Sequence, residues 1–382
     1  YLAGFGASTD AVHITAPDRT GAGLARAAEA ALKDSGFSPD CIDLISAHAT
    51  ATPFNDAMES KAMERVCGAH RPVVHPFKAQ IGHTLGAAGV LETLAAADAL
   101  RAQVAPAAAG EGELDPEAPA LLLDRAASRP LRAALKLSAA FGGANASLVL
   151  SASQRGRVQA PIRPVYLHAR AMQGAIDVDS LSQATGAHRD RLSRLDTLCR
   201  LGLSAVAQLA QQTGRQRLEG AGIVAGHALA TLETNFAFAA RLKARGPTGA
   251  EPRVFPATSP NAVAGECAIV YQLTGPSFAV ASSLQGGLEA LECAAELIAA
   301  GDIDRMVVLA VDDLGAAGRD FIEAAGWGHY HLEKGACALF LDSAEEGALA
   351  QVPLDIKPME APFTVGHLAL KAWAESAASL SP

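Results

Sequence analysis

Aromatic residues make up only 5% of this 382-residue chain, and its six cysteines (Cys41, Cys67, Cys199, Cys267, Cys293, Cys337) lie far apart with no Cys-x-x-Cys pair. That spacing suggests neither a zinc site nor a disulfide framework and suits a reducing cytoplasm. None of the eleven histidines falls in His-x-x-x-His or His-Glu-x-x-His spacing, which argues against a metal hydrolase. Basic residues are outnumbered, 31 against 40 acidic, for a net charge of −9. This balance argues against a nucleic-acid surface or a polybasic membrane anchor. No apolar run reaches the ~20 residues of a membrane span, because Glu, Arg or Asp interrupts each Ala-rich stretch. The opening Tyr1-Leu2-Ala3-Gly4-Phe5-Gly6 lacks the charged and apolar regions of a signal peptide and reads as a strand entered partway.

What is present is apolar: half of the residues are hydrophobic, enough for a large core and two or three domains. Leu24, Ala28, Ala31 and Leu32 share one face of a helix that Gly36 ends. Ile42 to Ala47 reads as a strand that delivers His48 at its C-terminal end. A polar helix over Asp56 to Val66, a strand at Val73-Val74 and an Ala/Leu helix from Ala87 to Ala102 follow. Leu135 to Ala139 and Ala146 to Leu150 flank the turn residues Phe141-Gly142-Gly143-Ala144-Asn145 as a hairpin. Residues 153–164, rich in Arg, Gln and Pro, read as a linker between a first unit at 1–152 and a second at 165–362. In the second unit a helix from about Arg189 to Gln212, a strand at Ile223 to Ala225 and a strand at Ser277 to Ala281 are expected. A helix with Leu288, Leu291, Ala295 and Ile298 on one face and a strand at Met306 to Val311 come next. Residues 363–382, Ala/Ser-rich and weakly patterned, read as a tail. The alternation of strand and helix implies an α/β protein.

His48, Lys78 and His83 each stand beside small residues that let a ligand approach the backbone. Singly each is unremarkable, since a lone histidine more often serves the core or the surface. Their strings are specific. Ala47-His48-Ala49-Thr50-Ala51-Thr52-Pro53 and Lys78-Ala79-Gln80-Ile81-Gly82-His83-Thr84-Leu85-Gly86-Ala87-Ala88-Gly89 resemble the two histidine motifs of the β-ketoacyl synthases of the thiolase-like superfamily. Phe141-Gly142-Gly143-Ala144-Asn145 is similar to their glycine-rich active-site loop.

The resemblance implies a thiolase-like fold of two βαβ-rich half-units, each a mixed five-stranded sheet layered between helices. It also implies decarboxylative Claisen condensation of an acyl thioester with malonyl-carrier protein, in fatty acid or polyketide biosynthesis. By that resemblance His48 and His83 donate hydrogen bonds to the thioester oxygen, Lys78 polarises them and Glu92 supports the lysine. Phe141 gates the site and lends its N–H to the oxyanion hole, while Thr50 and Thr52 bind the phosphopantetheine arm. No separate cofactor is implied, the substrates riding on acyl carrier protein. The implied partners are that carrier and a ketosynthase subunit in a homo- or heterodimer. Ala49 and Ala51 depart from the glycines usual in the first motif, and Ala139 from a usual phenylalanine.

The second unit resembles the N-terminal half of the same family through Arg191-Leu192-Ser193-Arg194-Leu195, Pro260-Asn261, Gly275-Pro276-Ser277-Phe278 and Glu333-Lys334-Gly335-Ala336. Counting without gaps from Gly275-Pro276-Ser277, the nucleophilic cysteine's position is Leu284, which has no lone pair for acyl transfer. A shift of one residue brings Gln285 there, as in chain-length factors. Ser282 and Ser283 have no adjacent base in sequence, and Cys267 and Cys293 read as structural thiols. The unit is expected to be catalytically silent. Two accounts of the order, C-terminal half before N-terminal half, remain: a tandem fusion entered partway, which we favour, or a circular permutation. The competing function is a non-catalytic chain-length factor that pairs with an active ketosynthase.

Overall fold

A computed structural model describes residues 1–110, 113–114, 116, 120–154, 161–174, 177–356 and 364–379. The chain divides into two compact units, Tyr1–Gln159 and Ala160–Pro382. Of the linker expected over 153–164, residues 155–160 lie outside the described residues. Arg163 is already tied into the second unit, its guanidinium 2.7 Å from Asp304 and its N–H bonded to the Ala299 carbonyl at 3.0 Å.

The first unit runs β1 (Leu2–Thr9), α1 (Ala22–Ser35), β2 (Ile42–Ser46), α2 (Pro53–Cys67), β3 (Val73–His75), α3 (Lys78–Ile81), α4 (Ala88–Ala102), the short β4 (Val104–Ala105) and β5 (Ala127–Ser128), β6 (Ala133–Ala139) and β7 (Ala144–Ser151). Five strands form one mixed sheet in the order β1-β7-β6-β2-β3. The β1/β7 and β7/β6 pairs are antiparallel, and β6/β2 and β2/β3 parallel. Successive strand residues face opposite ways, and the two cores show it. Ile45, Val74, Leu135 and Val149 pack with Leu24, Ala28, Met58 and Ala62 of α1 and α2. Their neighbours Leu44, Val73, Ala134 and Leu150 pack with Ala96, Ala99 and Leu100 of α4. The α1 stripe is buried as its spacing requires, and Gly36 closes the helix in the left-handed region at φ 66°. Gly6 lets α1 lie directly on β1, because a Cβ there would come within 2.2 Å of the Ala27 carbonyl oxygen.

The second unit runs β8 (Tyr166–Gln173), α5 (Val178–Thr185), α6 (Arg189–Leu192), α7 (Thr197–Thr213), α8 (Arg215–Leu218), β9 (Gly222–Gly226), α9 (Leu232–Arg245), α10 (Ala262–Tyr271), β10 (Ser277–Val280), α11 (Gly286–Ala300), β11 (Arg305–Asp312), α12 (Ala316–Ala324), β12 (Gly335–Asp342), β13 (Ala350–Gln351) and α13 (Gly366–Ser379). Its sheet is ordered β10-β9-β11-β12-β8-β13. Leaving aside two-residue strands, both sheets order their strands third, second, fourth, fifth, first. Their directions agree as well: β10/β9 and β9/β11 are parallel, β11/β12 and β12/β8 antiparallel. The halves are two copies of one α/β plan. No helix among the described residues is long and apolar enough to cross a membrane.

Three expectations are corrected here. The second sheet has six strands rather than five, since Ala350–Gln351 adds along β8 and two residues leave no periodic signal. The helix expected from Arg189 to Gln212 is two, because the Asp196 carboxylate accepts from the Cys199 N–H at 2.9 Å and caps a new helix. Residues 363–382 are not simply a tail. Within them α13 buries Leu370, Trp373 and Ala374 against Leu288, Leu291, Val308 and Leu339.

Candidate active site

Three parallel strands of the first unit, β3, β2 and β6, end on the same edge, and an open α/β sheet presents ligand sites at such carboxyl ends. His48 follows β2, Lys78 begins α3 just after β3, and Phe141 lies in the turn after β6. Period-two alternation turns Ser46 and Lys136 toward α4, where the Ser46 hydroxyl reaches the Glu92 carbonyl at 3.4 Å.

The Lys78 ammonium is buried, with its three donors matched to three acceptors. It lies 2.5 Å from the His48 carbonyl, 2.5 Å from Glu92 Oε1 and 3.4 Å from His48 Nδ1. The other Glu92 oxygen pairs with Lys136 Nζ at 2.7 Å, outside hydrogen-bond geometry. An ammonium only donates, so Nδ1 of His48 is an acceptor and the ring proton sits on Nε2. His83 reaches the same tautomer differently: its Nδ1 accepts from the Leu85 N–H at 3.1 Å. The two rings stand edge to face, centroids 6.0 Å apart and planes at 88°. Burial, then the charges of Lys78, Lys136 and His83, lowers the His48 pKa to about 3, so the ring is neutral at physiological pH.

The structure thus brings His48, Lys78, His83 and Glu92 together. Thr50 and Thr52 form a second group, their hydroxyls 3.1 Å apart on the loop before α2. Phe141 is exposed, in a turn held open by left-handed Gly142 and Gly143 at φ 84° and 75°. Gly142 N–H donates to the Ile14 carbonyl at 2.6 Å, and the Gly143 carbonyl accepts from the Asp10 N–H at 2.8 Å.

Sequence reasoning passed over two buried charges. Glu59 of α2 accepts from the N–H groups of His48 at 2.5 Å and Ala49 at 2.8 Å, while burial raises its pKa. It looked like an ordinary helical glutamate, although it sits between buried Met58 and Ser60. Lys136 interrupts the apolar run Ala134-Leu135-Lys136-Leu137, the one signal that could have marked it. The carboxylate of Glu59 also fixes a strained loop. Ala49 and Ala51, standing where glycines were expected, hold φ 42° and 56° in the left-handed region that disfavours a Cβ.

In the second unit Leu284 lies in the corner between β10 and α11, half-buried, its carbonyl accepting from the Gly366 N–H at 2.8 Å. Gln285 is the N-cap residue of α11. Ser282 and Ser283 are not without a partner, as sequence proximity suggested: both hydroxyls donate to the Glu289 carboxylate at 2.5 Å. Helical spacing carries Glu289 back to the corner. Burial raises the thiols of Cys199, Cys267, Cys293 and Cys337, the last to about 12, so none of these four offers a thiolate.

Two α/β half-units of equal topology define a thiolase-like fold, and the first carries a histidine–lysine–glutamate cluster at its strand ends. Residues 1–110 match the family described as Beta-ketoacyl synthase, C-terminal domain, and residues 158–349, half of the chain, match Beta-ketoacyl synthase, N-terminal domain. The chain belongs to the β-ketoacyl synthase family, with the C-terminal domain standing first. The 3-oxoacyl-[acyl-carrier-protein] synthase 2 of Coxiella burnetii is 36% identical over 158 residues, 39% of this chain and 37% of that protein. Its counterpart from Rhizobium meliloti is 41% identical over 150 residues, 38% of this chain and 35% of that protein. A solved structure, PfaC keto synthase-chain length factor, shares the fold with a TM-score of 0.71 at 17% identity, covering 92% of this chain and 49% of that one. The chain therefore spans little more than a third of the length of these curated relatives.

Proposed function

We propose that residues 1–152 carry the decarboxylating half of a β-ketoacyl synthase site, acting on malonyl-carrier protein, and that the second unit is a silent, chain-length-factor-like half. One observation carries this reading: both imidazoles are fixed with Nδ1 as acceptor, so two Nε2–H donors remain for one oxyanion. In the step itself the bond between the malonyl carboxylate and Cα breaks. Its electron pair forms the enolate, whose oxygen takes the negative charge, and CO₂ departs. Without an acyl acceptor the enolate carbon takes a proton from water and leaves an acetyl thioester. Lys78 keeps Nδ1 of His48 unprotonated, and Glu92 balances the lysine. Thr50 and Thr52 offer hydroxyls to the phosphopantetheine arm, and Phe141 stands as gate and further oxyanion donor. No separate cofactor is needed.

Condensation requires a cysteine acylated in a complementary half, and neither Leu284 nor the second unit's four cysteines, their thiols raised by burial, supplies one. That absence favours the second reading, in which the chain pairs with an active ketosynthase subunit and shapes its acyl pocket. The purified chain, given malonyl-carrier protein and a labelled acyl thioester, should release CO₂ without condensing and without retaining label. His48→Ala or His83→Ala should each slow CO₂ release about 100- to 1000-fold. No CO₂ release from the wild-type chain would leave only the scaffold role. Acyl label on the second unit would overturn its silence.

A further inference from the structure

Lys136 lies in the middle of β6, 2% exposed, between buried Leu135 and Leu137. Beyond its pairing with Glu92, its Nζ donates to the Leu137 carbonyl and to the Ser138 hydroxyl, the latter at 3.0 Å. A lysine in such a place is desolvated at a cost that an apolar residue would avoid, so its retention calls for a partner charge. Glu92 is that partner and is shared: Oε1 meets Lys78 at 2.5 Å, Oε2 meets Lys136 at 2.7 Å. We propose that Lys136 is a positioning residue of the pocket. By occupying Oε2 of Glu92 it leaves Lys78 aimed at His48, and its ammonium helps hold the His48 ring as a neutral Nε2–H donor.

The titratable groups facing His48 come from four elements and one loop: Lys78 of α3, Lys136 of β6, Glu92 of α4, Glu59 of α2, and the His83 imidazole after α3. Two ammoniums and two carboxylates balance. Removing Lys136 leaves both carboxylates against a single ammonium, and protonation of the ring becomes easier. Burial lowers the pKa of Lys136, while Glu92 and Glu59 oppose the shift. The consequence for rate rests on the decarboxylase reading, but the electrostatic role does not.

The test begins with the full-length wild-type chain, by titrating the ¹³Cε signal of Lys136. A protonated ammonium at pH 7 is expected; a neutral amine there would overturn the proposal without any variant being made. In Lys136→Met, ring ¹⁵N signals should show the His48 titration midpoint raised by about one unit or more, a tenfold gain in proton affinity. Lys136→Arg should return the midpoint toward that of the wild type. The acid limb of malonyl-carrier decarboxylation should move with it. A purely structural lysine would instead lower the rate at every pH and leave the midpoint where it was, which would refute the proposal. If the wild-type chain does not decarboxylate at all, the functional reading fails while the His48 midpoint still decides the role of Lys136. Should Lys136→Met not fold, Lys136→Gln and the wild-type lysine titration carry the decision.

Discussion

Replacing Ala51 by glycine is expected to stabilise the first unit, whereas replacing Ala49 should leave it nearly unchanged. Both alanines occupy left-handed backbone, at φ 56° and 42°. An L-residue there is strained by roughly 1–2 kcal/mol, and glycine loses about 0.5–1 kcal/mol more entropy on folding. For Ala51, whose methyl is exposed, the difference spans about 0 to 1.5 kcal/mol, centred on a gain of about 0.7 kcal/mol. Ala49 packs in part against the core under α1 and α2. Up to about 0.8 kcal/mol of methyl burial is lost with it, offsetting most of the relief. The assay must separate the units, and the tryptophans allow this: Trp327 and Trp373 both lie in the second unit. A urea transition seen in far-UV circular dichroism but silent in tryptophan fluorescence belongs to the first. At urea slopes of about 1–3 kcal/mol/M, Ala51→Gly should raise that midpoint by a few tenths molar. An unchanged or lower midpoint would mean that the loop carries no strain, and that alanine is no worse there than glycine.

An unfolded histidine titrates near pH 6.5, while folded His48 is held at about 3. Between those values the unfolded chain binds the extra proton, so stability falls as pH falls, by at most about 1.4 kcal/mol per unit. His48→Asn should flatten the slope of first-unit urea midpoints between pH 6.5 and 4; parallel slopes would contradict a neutral buried ring. Leu370→Ala, at a fully buried position of α13, should destabilise the second unit by about 2–5 kcal/mol as read by tryptophan fluorescence. A loss under about 1 kcal/mol would mean that α13 does not dock. Leu284→Cys places a thiol at the N-terminal end of α11, where it should take iodoacetamide at pH 7 faster than buried Cys199, Cys267 and Cys337. Mass spectrometry finding position 284 unlabelled would show a corner closed to reagents.

Much of the pocket was legible because its polar residues sit in short strings bound to strand ends: once Ile42 to Ala47 reads as a strand, His48 has to emerge at its edge. Glu59 and Lys136 were not legible, since each is buried by a partner remote in sequence rather than by its own pattern. Glu59 is matched by backbone N–H groups eleven and ten residues away, and Lys136 by Glu92 on another element. The α13 helix escaped for a different reason. Its alanines and serines give little contrast between faces, and only contact with β11 and α11 selects Leu370 and Trp373 as the inner side. The break after Leu192 depended on Asp196 acting as a cap, which competes locally with helix continuation.

The equal topology of the units makes their strand ends comparable, and the comparison locates the chemical difference in hydrogen-bond donors. After β2 stands His48, and neither its Nε2 nor that of His83 donates to any group among the described residues. After β9 stands His227, wholly buried, its two ring nitrogens facing the Val311 and Pro260 carbonyls at 3.0 and 3.1 Å. Both are engaged within the unit, leaving no ring donor for a ligand. Lys78 and His83 follow β3; after β10, at the equivalent corner, the hydroxyls of Ser282 and Ser283 both donate to the Glu289 carboxylate. At the end of β11, Asp312 accepts from the N–H groups of Ala228 at 2.9 Å and His367 at 2.7 Å. One backbone plan therefore supports both outcomes. Among the described residues the first unit leaves imidazole donors unmatched at the strand ends, where the proposed decarboxylation could use them, and the second engages the corresponding groups internally while keeping the same strand order.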